Sequence, residues 1–135
     1  MDLQIINIAA NSKNNKEIKN FTHKSKYKNV LCGDQIEIRL IVRKKKILDI
    51  GYKSEACIYC QASASILSKI AINKTLKKIN QLTNEVLDYF IYKNDALSKE
   101  LKKLRYILNK KHHSRKDCIL LPFKALKKAI KTNNE

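Results

Sequence analysis

Two short stretches bring reactive side chains close together along the chain. Leu31-Cys32-Gly33-Asp34 sets a thiol and a carboxylate two residues apart. Cys57-Ile58-Tyr59-Cys60-Gln61-Ala62-Ser63-Ala64-Ser65 sets a second thiol just ahead of a run of small residues suited to a helix start, and Cys118 repeats the loop-to-helix position near the C-terminus. Thiolates bind zinc and iron and a carboxylate adds a hard oxygen, so three thiols and an acid meeting at the edge of a small sheet would handle a metal or sulfur. Gly33 permits an unusual backbone and close approach of another group. Backbone N–H groups at a helix N-terminus stabilise a thiolate, which favours Cys57 as ligand or nucleophile. At Cys118 the neighbours Arg115 and Lys116 add positive charge, whereas Asp117 opposes it.

The plainer reading of any one cysteine is a buried, inert thiol. Cys57 and Cys60 also spell Cys-x-x-Cys, but neither the βαβ surroundings of a thioredoxin-like motif nor the second half of a zinc ribbon accompanies them. His112 and His113 are candidate imidazole ligands in a lysine-rich segment, where a solvated pair is the simpler expectation.

The 135 residues suffice for one ordinary core, so one domain over 1–135 is expected, with 1–28 poorly patterned. No apolar stretch approaches the roughly 18–20 residues that cross a bilayer. The Leu3–Ile8 run lacks the basic flank of a signal peptide. The expectation is therefore a cytoplasmic protein without membrane contact, where thiols stay reduced and act as ligands rather than disulfides. A formal net charge of +17 raises nucleic acid as a partner. The lysines, however, are scattered over nearly every segment and no aromatic-interleaved basic motif occurs. Nucleic acid is thus the disfavoured partner, and a solvated basic surface matched to an acidic protein is the plainer one.

The elements that must position these groups follow from apolar periodicity. Residues 3–10 suit a short helix, and 11–28 read as loop. Ile36, Ile38, Leu40 and Val42 alternate with a period of two, Lys44-Lys45-Lys46 interrupts, and Ile47–Tyr52 resumes, giving an antiparallel hairpin with a lysine turn. Ala62, Ile66, Ile70 and Ala71, extended by Leu76 and Ile79, form one helix face. Thr83 reads as the N-cap of a second helix and Asp95 of a third carrying Leu97, Leu101, Leu104 and Leu108. Lys110–Asp117 reads as a loop, and a last helix begins near Cys118 with Pro122 in its first turn. The fold class is α+β, a small antiparallel sheet with helices packed mainly on one face.

Taken together, Asn29–Asp34, the hairpin, Cys57 with Ala62-Ser63-Ala64-Ser65, and Arg115-Lys116-Asp117-Cys118 before a final helix resemble the NifU/IscU/SufU family of iron–sulfur cluster assembly scaffolds. The IscU-type members carry a His directly before the last cysteine, where this chain has Asp117. The long Cys57-to-Cys118 separation and Arg115 are similar to the SufU-type branch. Departures are Ser54-Glu55-Ala56 in place of a Gly-rich approach, Val30 in place of Pro, an altered N-terminal signature, and Cys60 where a serine is usual.

The resemblance implies that Cys32, Asp34, Cys57 and Cys118 are the metal-site ligands, with Cys60 a possible addition. It further implies a scaffold or carrier, non-enzymatic rather than enzymatic, that takes sulfur from a SufS/IscS-like cysteine desulfurase. Such a protein holds iron or a labile [2Fe–2S] cluster and passes it to recipient iron–sulfur apoproteins or carriers. The alternative it implies is a SufU-type sulfurtransferase dependent on Zn2+, with Cys118 as sulfur acceptor.

Overall fold

The computed structural model describes residues 3–30, 33–92, 97–108 and 114–132. Its centre is a three-stranded antiparallel sheet of β1 (His23–Lys28), β2 (Gln35–Arg43) and β3 (Lys46–Glu55), in that order. The expected hairpin is β2–β3, and β1 corrects the expectation of loop over 11–28. The alternation in β1 is hard to see because its inward side chains are His23, Ser25 and Tyr27, of which only Ser25 is fully buried. Ser25 is held by its hydroxyl, which donates to the Ala125 carbonyl at 2.6 Å.

Ile36, Ile38, Leu40, Ile47, Ile50 and Tyr52 supply the buried face of the sheet. Ile47 and Ile50 are three apart yet both buried, because the register shifts between Ile41 and Val42 and the extra residue restores the inward parity. The turn between the strands is tight: Lys44 and Lys45 take φ of 53° and 61°, the two-residue hairpin geometry that normally selects Asn-Gly.

Helices α2 (Ile58–Ala71) and α5 (Lys116–Thr132) lie on the buried face, with α1 (Leu3–Ala10) packed on α2 and α3 (Leu76–Tyr92) on α5. A 3-10 segment, Lys99–Leu104, leads into the single turn α4 (Arg105–Leu108) and buries Leu101, Leu104 and Leu108 as the sequence predicts. The segment after α1 crosses to the other side of the sheet. There the Asn14 carbonyl accepts from the Tyr52 N–H at 3.1 Å, and a Cβ on Gly51 would stand 2.5 Å from the Lys16 carbonyl.

Three helix boundaries differ from expectation. The helix drawn through Ala62 to Ile79 is two, because α2 ends at Ala71 and Asn73 turns left-handed at φ 70°. The linker then clips onto β3, with Ile47 N–H donating to the Lys74 carbonyl and Asn73 N–H to the Ile47 carbonyl. Thr83 is no cap: it is buried within α3, whose start is capped by Thr75, the Lys78 N–H donating to its hydroxyl at 3.1 Å. Pro122 lies inside α5 rather than in its first turn. The proposed cap Asp95 and the first half of the Lys110–Asp117 loop lie outside the described residues; of the second half, Lys116 and Asp117 already belong to α5.

Candidate metal centre

Asp34, Cys57 and Cys118 come from three separate segments, and one ligand atom from each lies within 4.8 Å of the others. Asp34 stands just ahead of β2. The connection before it is drawn shut by Gly33 N–H donating to the Asn29 carbonyl and Asn29 N–H to the Asp34 carbonyl, both at 2.8 Å. Gly33 has φ 79° with open space where a Cβ would stand, so backbone conformation rather than crowding calls for glycine there.

Cys57 occupies the N-cap of α2, and its side chain makes no capping bond. The Asp34 carboxylate instead accepts from the Cys57 N–H at 3.3 Å, which sets an acid against the positive end of the helix. Cys57 is half-buried. Cys118 lies in the first turn of α5, close to the expected helix start, with 6% exposure. The Ser63 hydroxyl fixes that turn against α2 by donating to the Ile119 carbonyl at 2.6 Å. Pro122 has no N–H for the Cys118 carbonyl four residues back, so the helical ladder is one bond short at Cys118.

Basic neighbours were expected to favour the Cys118 thiolate. In the fold, burial pushes the Cys118 thiol well above the ordinary range, and the adjacent Cys57 and Asp34 push it the same way. The Arg115 guanidinium lies 5.5 Å from the centre of the Tyr59 ring and ties the start of α5 to the start of α2. Asp117 is exposed. A bound cation would reverse the penalty on the Cys118 thiolate. One carboxylate oxygen with thiolate sulfurs is a donor set that zinc and iron both accept.

Cys60 sits one turn into α2 with no exposure and belongs to the hydrophobic core rather than to the three-residue group. Cys32, His112 and His113 lie outside the described residues. Ser63 belongs to the small-residue run that marks the family resemblance, but its positioning part, like that of Tyr59, emerges only from the packing of α2 against α5.

The sequence profile of the NifU-like N-terminal domain family matches residues 2–135. The chain belongs to that family. Among relatives, an uncharacterised protein of Borreliella burgdorferi is 33% identical over 113 residues, covering 84% of this chain and 74% of that protein. The iron–sulfur cluster assembly scaffold protein IscU of Thermotoga maritima is 29% identical over 112 residues, covering 77% and 73%. The fold of this NifU-like domain superposes on the N-terminal part of a nitrogen-fixing NifU-like protein from Brucella abortus with a TM-score of 0.84. That match is 18% identical and covers 98% of this chain and 92% of the other. A candidate SUF-system scaffold from Fervidobacterium islandicum matches at 0.80, with 22% identity and coverage of 97% and 96%. Among the described residues no helix of this NifU-like domain is long and apolar enough to cross a membrane.

Proposed function

We infer that this NifU-like domain is an iron–sulfur cluster assembly scaffold. It would receive sulfur from a cysteine desulfurase, hold iron or a nascent [2Fe–2S] cluster as cargo, and pass it to recipient apoproteins or carriers. The observation that carries the reading is the convergence of Asp34, Cys57 and Cys118 from three distant segments. Cys32, two residues before Asp34 in the chain, is the proposed fourth ligand. A mixed shell of one oxygen and three sulfurs suits release, since ligand type and solvent exposure tune cluster stability.

The donor set also supports a second reading, a zinc-dependent sulfurtransferase, because one carboxylate and three thiolates complete a tetrahedral zinc shell. In that reading a Cys118 thiolate attacks the outer sulfur of the desulfurase persulfide. The S–S bond breaks, the desulfurase leaves as its thiolate, and Cys118 becomes the persulfide with no net oxidation. The missing ladder bond at Pro122 lowers the cost of moving Cys118 out of its buried position.

Metal and acid-labile sulfide analysis of anaerobically isolated protein separates the two. Iron with sulfide and a brown chromophore is the expected outcome for the scaffold. Stoichiometric zinc without sulfide, with desulfurase stimulation that disappears in Cys118→Ala, would move the assignment to sulfur transfer. Full cluster loading by a Cys32→Ala/Cys57→Ala/Cys118→Ala triple variant would sink both.

A further inference from the structure

A cavity of about 560 Å³ opens between α1, α2 and the segment leading into α4, at the far end of α2 from the metal centre. Its volume falls in the range of formed binding pockets. Ile8, Ile66, Ile70 and Tyr106 contribute its apolar surface, and Tyr106 is 48% exposed. With Cys57 at the N-cap of α2, a rise of 1.5 Å per residue puts Ile66 and Ile70 roughly 14–20 Å from the site along the helix axis. The groove is therefore not part of the ligand cluster.

Lysines stand on both sides of it. Lys69 comes from α2, and Lys99, Lys102 and Lys103 come from the 3-10 segment. Among the described residues none of these four is in an ion pair. The acid in the lining, Glu100, is engaged with Lys78 of α3 at 3.0 Å, so it does not neutralise them. An apolar floor between two uncompensated basic rims is the complement of an amphipathic helix with an apolar stripe flanked by Asp and Glu.

We propose that this groove docks an acidic amphipathic helix of a partner protein, leaving the metal centre open while the partner is bound. The net charge of +17 steers such a partner in solution, and the groove gives it a place to seat. The occupant is a protein helix rather than a free fatty acid because the basic groups flank the apolar floor on both sides, whereas a single carboxylate head needs only one.

The test uses the whole chain and a fluorescein-labelled helical peptide with Leu at i, i+3, i+4 and i+7 and Glu on both flanks. A control peptide keeps the Glu residues and replaces Leu by Ser. Fluorescence anisotropy is expected to show binding of the Leu peptide only. The Lys102→Glu/Lys103→Glu variant, which changes exposed side chains, should weaken it by at least about tenfold, and Ile70→Gln should weaken it at unchanged salt dependence. Metal uptake should be the same with and without peptide. Equal binding of both peptides would reduce the effect to general charge attraction and overturn the proposal, as would unaltered binding in both variants. Laurate binding to the wild type with no peptide binding would overturn it in favour of a small amphiphile.

Discussion

Cys57 and Cys60 stand one helical turn apart on α2, yet they occupy different chemical worlds. Cys57 stands at the N-cap position, is half-buried, and lies against Asp34, just ahead of β2, and Cys118 from α5. Cys60 is fully enclosed among the apolar side chains of the core. Residue type alone does not separate them. What does is whether neighbouring segments deliver polar ligand atoms or hydrocarbon to that point on the helix surface. The mouth of α2 is built from backbone turns and single hydrogen bonds, and its interior from close packing, so the two should respond to substitution in opposite ways.

The largest effect expected is at the mouth. Cys57→Ala should lower metal affinity by more than the about 10–100-fold typical of residues that only support a ligand, while the unfolding midpoint of the metal-free protein stays close to wild type. Competitive chelation and urea unfolding read the two quantities. Cys60→Ser should give the reverse, costing about 1–3 kcal/mol by exchanging a fully buried thiol for a more strongly hydrated hydroxyl with metal uptake retained. Loss of metal by Cys60→Ser in protein that remains folded would erase the contrast.

The pH dependence of the metal-free protein sharpens it further. A buried thiol raised above its unfolded value keeps its proton longer in the folded state. Its contribution to stability is complete below about pH 8.5 and drains away as the pH climbs past that value. Between about pH 8 and pH 10 the wild type should lose more stability than Cys118→Ala; equal slopes in urea titrations would show that the native-state proton is not held there. The smallest effect belongs to neither region. Lys44→Asn/Lys45→Gly relieves two positive-φ residues and should add about 1 kcal/mol with metal affinity unchanged. It shows what a pure gain of stability does to loading.

Much of this was legible beforehand. Alternating Ile and Leu announced β2 and β3, and the residue types of Asp34, Cys57 and Cys118 marked the candidate site. Their meeting was readable only through the family resemblance and not from periodicity, because it depends on how α5 crosses the sheet, which the Ser25 and Ser63 hydroxyls fix through the Ala125 and Ile119 carbonyls. Serine–carbonyl bonds leave no periodic trace. β1 stayed hidden for the same reason, since a buried serine replaces the aliphatic residue that alternation looks for. The break between α2 and α3 was signalled by Asn73 and Thr75, but Leu76 and Ile79 kept the chain apolar across it and concealed the boundary.

The strap across Gly51 and Tyr52 has a consequence for behaviour in crowded solution. A three-stranded sheet has two open margins at which a foreign strand could add and seed aggregation. On β3 the Asn14 carbonyl already takes the Tyr52 N–H, and the Lys46–Thr75 bridge occupies the other end of that margin. On β1 the Lys128 ammonium donates to the Lys26 carbonyl at 2.9 Å, beside a strand that also carries Lys24 and Lys28. Addition of a foreign strand is thereby opposed at both margins, by backbone pairing on β3 and by lysine side chains on β1.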